Sequence, residues 1–206
     1  MLFLFFDAKL NLFFFCINCR FVGSELQRDI KPENIVVAAD WSLRLADFGT
    51  SLVGETTTLE FCGTETYIAP EVHANMPYHP GPADVWSAGV TCFILLYGVP
   101  PFFASNTEDW YFRCAKEGAW DLFWKQHEKS RCSLNIAPLD AAAKRFLQRA
   151  LDPSPRWRPS AAAMLDDPWL FDASPGGAGP GDAELESLMT DLGVKSPPGI
   201  KSSARN

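Results

Sequence analysis

Residues 28 to 34 read R-D-I-K-P-E-N: Arg28, Asp29, Ile30, Lys31, Pro32, Glu33 and Asn34. An acid, a base two residues on, a proline and an amide carboxamide share one short loop. Behind the loop the pattern changes to a β-hairpin. Ile35, Val36 and Val37 form one short apolar strand, Ala39 to Ser42 the turn, and Leu43 to Ala46 the return strand. The hairpin delivers a second triplet, Asp47, Phe48 and Gly49, thirteen residues after Asn34, and Ala69, Pro70 and Glu71 follow further on. Any one triplet arises by chance in many chains; the ordered set does not.

More landmarks follow in sequence: Gly63, Thr64, Tyr67 and Ile68, then D-V-W-S-A-G-V from Asp84, P-P-F-F from Pro100, Arg158 with Pro159 and Ser160, and Asp167 with Pro168 and Trp169. In order and spacing the whole set resembles the protein kinase signature of catalytic loop, D-F-G and A-P-E. The resemblance runs from residue 28 to 171 and corresponds to the C-terminal lobe of a serine/threonine kinase. It implies a fold that is mainly α with a small β-hairpin, a kinase-like C-lobe whose N-lobe is absent from this chain. Ahead of Arg28 there is no G-x-G-x-x-G loop, no V-A-I-K lysine, no helix-borne glutamate to pair with it and no hinge.

The resemblance also implies roles. Asp29 accepts the proton of the attacking hydroxyl, and Lys31 stabilises charge on the γ-phosphate of ATP. Asn34 and Asp47 give oxygen ligands to Mg2+, a hard cation that takes few protein ligands. Val36 lies beneath the adenine, and Glu33 belongs with the nucleotide-binding group while also attracting a basic residue of the substrate. Thr64 hydrogen-bonds Asp29 and Lys31, which marks Ser or Thr as the acceptor. Phe61 with Ile68 forms an apolar pocket for the residue after it. Phe48 and Gly49 complete D-F-G. Glu71 and Arg158 form a structural ion pair. Asp84 opens a helix over about Asp84 to Leu96, where an acid at the N-cap is favoured, and holds the catalytic-loop backbone from below. Trp86, Val90, Phe93, Ile94 and Leu95 read as the buried face of that helix.

The segment from Asp47 to Glu71 carries regulation. An Arg before the catalytic Asp binds a phosphate bidentately in many kinases, and Arg28 meets that condition. Two residues before Cys62, where related kinases carry the phosphorylated Thr, stands Glu60. Its carboxylate is expected to pair with Arg28 permanently, with Thr56, Thr57 and Thr58 as alternative phosphorylation sites. Phe93 to Leu96 with Y-G-V-P-P-F-F, and Trp120 to Glu128, most resemble the calcium/calmodulin-dependent group.

Composition sets the frame. With 18 basic against 25 acidic residues and a net charge of -7, the chain lacks the cationic surplus a nucleic-acid binder needs. Six irregularly spaced cysteines give no disulfide framework, so the cytosol or nucleus is the expected compartment. The first 27 residues stand apart. Seven of the 16 phenylalanines fall within the first 21 positions, in apolar runs broken by Asp7, Lys9 and Asn11 and too short to span a bilayer. Cys16 and Cys19 form a lone C-x-x-C with no second pair at zinc-site spacing. Phe and Leu codons are pyrimidine-rich, and the segment ends at Gln27, whose codon can be CAG. The segment is therefore expected to be, wholly or in part, a retained intron or gene-model artefact, with the family domain beginning at Arg28. Gln27 also stands where the family carries His or Tyr, a ring that packs under the D-F-G Phe. Beyond Phe171, Ser, Pro and Gly dominate and read as a flexible tail, residues 172–206, with one short helical pattern over Ala183 to Leu192.

The expected function is transfer of the ATP γ-phosphate to Ser or Thr of protein substrates, with Mg2+ as cofactor and an upstream kinase as a further partner, and without nucleic acid or membrane. Without an adenine roof the chain alone is expected to be nearly inactive; losing roughly 4 kcal/mol of nucleotide binding lowers affinity about a thousandfold. The alternative is a non-catalytic, one-lobed binding module that engages kinases or their substrates.

Overall fold

The structure, a computed structural model, describes residues 25–37, 43–54, 57–133 and 138–171. Their strands are β1 (Glu25–Leu26), β2 (Ile35–Val37), β3 (Leu43–Leu45) and β4 (Leu52–Val53). β2 and β3 pair antiparallel, with Ile35 opposite Leu45, Val36 opposite Arg44 and Val37 opposite Leu43. This is the hairpin its apolar run predicts; the turn expected over Ala39 to Ser42 lies outside the described residues. A second antiparallel pair, β1 with β4, sets Glu25 opposite Val53 and Leu26 opposite Leu52. Leu26 is buried, and its side chain lies beside Gly81. The folded region thus takes in Glu25, Leu26 and Gln27, ahead of the boundary expected at Arg28. Residues 1–24, with Cys16 and Cys19, and the tail from residue 172, with its 183–192 pattern, lie outside the described residues.

The helices are α1 (Pro70–His73), α2 (Pro80–Tyr97), α3 (Trp110–Lys116), α4 (Trp120–Ser133), α5 (Ala141–Ala150), α6 (Ala161–Leu165) and α7 (Pro168–Phe171). α2 is the axis of the fold. It starts at Pro80, four residues before the expected start at Asp84, and its N-cap is His79. The reason is that Pro80 and Pro82 both fall in the first turn, where backbone N–H groups have no intrahelical partner and proline removes nothing. Asp84 therefore sits in the second turn, so its carboxylate is not a cap and serves other partners. The helix stops at Gly98, whose φ of 74° is left-handed.

Burial along α2 runs nearly all round: Trp86, Val90 and Phe93 are fully enclosed, while Ile94 and Leu95 are partly buried. On one side Gly89 lets α5 approach so closely that a Cβ there would stand 2.8 Å from the Ala150 Cβ. On the other, Phe93 stacks on Tyr97 at 4.3 Å and meets the His127 ring of α4 at 4.8 Å. His127 Nε2 lies 3.1 Å from the Pro101 carbonyl oxygen. Burial pulls its pKa down to about 4 although that carbonyl works in the opposite direction.

Side-chain caps start α3, α5 and α6. Asp109 accepts from Phe112 N at 2.9 Å, Asp140 from Ala143 N at 2.7 Å and Ser160 from Ala163 N at 3.2 Å, each satisfying a donor the first turn leaves without a partner. Among the described residues no helix is long and apolar enough to cross a membrane.

Candidate active site

Pro32 opens a single 3-10 turn, Pro32–Asn34, and fixes the path of the loop that carries the acid and the base. The residue before a proline is pushed out of the helical region, and Lys31 accordingly is extended, with φ -157° and ψ 161°. This geometry turns the Lys31 side chain back along the loop. Its Nζ lies 2.7 Å from Asp29 Oδ2 and donates to Thr64 Oγ1 at 2.7 Å. Thr64 in turn donates to Asp29 Oδ1 at 2.8 Å. Asn34 Nδ2 closes the group by donating to the Asp29 carbonyl at 2.9 Å and to Oδ2 at 3.2 Å. Asp29, Lys31, Asn34 and Thr64, chosen from sequence, thus form one hydrogen-bonded cluster.

The loop is anchored from below. Asp84 accepts from the backbone N–H of Gln27 at 2.9 Å and of Arg28 at 2.8 Å. Arg28 has φ 64° and Asp47 φ 57°, both in the left-handed region that non-glycine residues rarely occupy. Asp47 reaches the site because Ala46 N donates to the Asn34 carbonyl at 2.8 Å, closing the base of the hairpin. Gly49 N then donates to Asp47 Oδ1 at 3.1 Å.

The donor set fits a hard cation. Asp47 is exposed, and the Asn34 nitrogen is committed to Asp29, which leaves its carboxamide oxygen as the end available to a metal. Among the described residues no group of three or more His, Cys, Asp or Glu side chains could hold a metal. Two oxygen ligands instead match an ion that keeps water and substrate phosphate in its other positions. Val36, at 46% exposure, and Phe48, at 42%, present an apolar surface. Glu33 is also exposed. With Phe48 exposed, Gln27 does not act as a packing ring. It is 4% exposed, and its carboxamide is wholly engaged in hydrogen bonds, a role its place at the end of the apolar N-terminal segment concealed.

On the far side of the loop the Arg28 side chain, 6% exposed, donates from Nη1 to Glu60 Oε2 at 2.7 Å and from Nε to the Thr50 carbonyl at 2.5 Å. The Glu60 backbone is held separately: its carbonyl accepts from Tyr78 Oη at 2.9 Å. Burial, reinforced by Cys62 nearby, pushes the Tyr78 hydroxyl up to about 12, so it remains a donor. Tyr78 has no sequence signature and was not anticipated. Thr58 bridges to Tyr78 through the backbone, and Thr57 is exposed; Thr56 lies outside the described residues.

Two hydroxyls fix the stretch after Thr64. Ser87 donates to the Tyr67 carbonyl at 2.8 Å, and Ser105 to the Ile68 carbonyl at 2.8 Å. Gly63 is obligatory here, since its φ is 103° and a Cβ would stand 2.8 Å from the Arg28 carbonyl oxygen. Phe61 is 54% exposed, whereas Ile68 belongs to the core. The stretch ends at Glu71, which receives Arg158 bidentately at 2.7 and 3.1 Å. Arg158 also donates to the Pro82 and Asp152 carbonyls, and its guanidinium lies 5.1 Å from the centre of a Trp86 ring.

Comparison with known proteins gives one matching family, described as protein kinase domain, over residues 24–170. The match begins before Arg28, at the edge of β1. Among curated relatives, CBL-interacting serine/threonine-protein kinase 15 of Arabidopsis thaliana is 35% identical over 148 residues, 69% of this chain and 32% of that protein. CBL-interacting serine/threonine-protein kinase 9 of the same plant is 37% identical over 149 residues, 69% of this chain and 30% of the relative. Calcium-dependent protein kinase 9 of Oryza sativa subsp. japonica is 39% identical over 155 residues, 72% of this chain and 25% of the relative. The matched region therefore spans a third or less of each of these relatives.

Proposed function

The chain belongs to the protein kinase domain family, and from that premise we propose that it carries the catalytic C-terminal lobe of a protein serine/threonine kinase. The observation that supports this reading is the closed cluster of Asp29, Lys31, Thr64 and Asn34. Asp29 is oriented from two sides and keeps its carboxylate beside a cation, the arrangement a base needs to accept the proton of a substrate hydroxyl. Lys31 places positive charge where the transferred phosphoryl group gains negative charge, and Thr64 ties both to the segment that carries the substrate. Asn34 and Asp47 would hold Mg2+, which would supply positive charge against that of the ATP phosphates. Val36 supplies the floor for the adenine, and Glu33 selects a basic residue of the substrate.

Arg28 and Glu60 hold the activation segment, Asp47 to Glu71, in place without a phosphate, and an upstream kinase acts, where it acts, on Thr56, Thr57 or Thr58. The partners are proteins with Ser or Thr acceptors in the cytosol or nucleus. On its own the chain turns over slowly, because its sequence lacks the glycine-rich clamp that holds nucleotide phosphates in this family. The second reading, for the polypeptide by itself, is a one-lobed module that binds kinases or their substrates.

The deciding experiment measures phosphate transfer from labelled ATP to a degenerate Ser/Thr peptide mixture. It uses this chain and the polypeptide encoded by the message read upstream of the Arg28 codon. Transfer by the longer polypeptide that falls by about a thousandfold in Asp29→Asn carries the kinase reading. A message that starts at Met1, with no transfer and retained binding of a kinase partner, replaces it with the module.

A further inference from the structure

We infer that Gln27 is a positioning residue that locks the loop bearing Asp29 to the loop bearing Asp47. The inference rests on the roles proposed above for those two aspartates.

The residue is almost fully enclosed, at 4% exposure, yet it is polar. A buried carboxamide is retained only where both of its ends are satisfied. Here Oε1 accepts from the Asp29 N–H at 2.8 Å, and Nε2 donates to the Asp47 carbonyl at 3.0 Å, with the Ala46 carbonyl at 3.5 Å. Only one orientation of the group serves both, because the Asp29 amide can only donate and the Asp47 carbonyl can only accept. One side chain therefore joins the backbones of two residues that are eighteen apart in sequence.

What the bond holds is strained. Arg28, between Gln27 and Asp29, has φ 64°, and Asp47 has φ 57°. Conformations of this kind persist only where their surroundings over-determine them. The Gln27 backbone contributes as well: its N–H reaches Asp84 at 2.9 Å, and its carbonyl accepts from Thr50 Oγ1 at 2.9 Å. Gln27 is thus the junction of the catalytic loop, the metal-binding loop and α2. A ring could pack at this place, but a carboxamide sets the spacing of the two aspartates through directional bonds.

The test compares Gln27→Leu, Gln27→Glu and Gln27→His in the full chain. Two readouts are used: amide hydrogen exchange at Asp29, and Mn2+ affinity, with Asp47→Asn as the control for the metal site. Leucine removes both bonds. It should speed Asp29 exchange and weaken Mn2+ binding by about tenfold, the usual scale for groups that orient metal ligands. Histidine offers one donor and one acceptor and should restore both. Glutamate accepts but cannot donate when ionised, so Asp29 should stay protected while Mn2+ binding falls; that split would not come from packing alone. Unchanged Asp29 exchange and unchanged Mn2+ affinity in the leucine variant overturn the inference. Should Asp47→Asn leave Mn2+ binding intact, the metal assignment fails on its own account, and Asp29 exchange alone decides the role of Gln27. Should the leucine variant melt globally, the contrast between glutamate and histidine decides; equal behaviour of those two overturns the inference.

Discussion

The Glu60 carboxylate lies 2.7 Å from the Arg28 guanidinium, although Glu60 is 65% exposed and Arg28 only 6%. A buried cation is thereby neutralised by an exposed anion on the activation segment. Exposure keeps such a pair weak and sensitive to salt. The Arg28 bond to the Thr50 carbonyl and the Tyr78 bond to the Glu60 carbonyl share the restraint.

Replacing Thr56, Thr57 and Thr58 together by Ala should leave peptide phosphorylation by the active polypeptide within about threefold of the parent, since the charge that meets Arg28 comes from Glu60. Glu60→Gln should lower it further than the triple change and remove its salt sensitivity. Rates measured at low and high salt check both; complete loss in the triple variant would show that a phosphate, not Glu60, orders the segment.

Thr64→Val should lower kcat more than KM for peptide, because it removes the hydroxyl that links Asp29 and Lys31 without emptying the site. An effect of about tenfold to a hundredfold is expected. Thr64→Ser keeps the hydroxyl and should recover most of the rate.

Breaking the Glu71 and Arg158 pair should act on stability. Arg158 has no exposed side-chain surface and Glu71 only 10%, so Glu71→Ala leaves a buried guanidinium short of its carboxylate, at a cost of about 3–5 kcal/mol. The midpoint of urea unfolding reads this directly. Arg158→Lys should fail to restore it, since an ammonium lacks the bidentate fork.

Gly89→Ala should be destabilising by about 1–3 kcal/mol through overpacking, because the new Cβ would meet Ala150 at 2.8 Å. Adding Ala150→Gly should recover part of that loss. A double-mutant cycle on thermal midpoints tests the coupling.

His127 supplies a pH dependence. Its folded pKa of about 4 lies below the ordinary 6.5, so the unfolded state binds more protons between those values. Stability is then complete above about pH 6.5 and lost as pH falls toward 4, by about 3 kcal/mol in all. His127→Phe should flatten this part of the profile, measured as denaturant midpoints from pH 7 to 4.5.

The cluster of Asp29, Lys31, Asn34 and Thr64 was legible because its residue types stand in the order and spacing of the kinase motifs. Asp29, Lys31 and Asn34 occupy a single loop, and long-range partners such as Thr64 and Arg158 fall in motifs of their own. The start of α2 was not legible, because Pro80 and Pro82 read as breakers unless their place in the first turn is known. The pairing of β1 with β4 was hidden for another reason: two-residue strands carry no periodicity. Tyr78 and Gln27 act through side-chain hydrogen bonds to backbone, which leave no pattern, and Gln27 was further masked by the apolar run before it.

The ion pair of Glu71 with Arg158 joins residues 87 apart, and this separation has a consequence for biosynthesis. At roughly 5–20 residues per second on the ribosome, Arg158 is added about 4–17 seconds after Glu71. Throughout that interval the anchoring end of the activation segment has no counter-charge. The nascent chain thus carries Glu71 without its counter-charge until the segment bearing Arg158 follows it out of the ribosome.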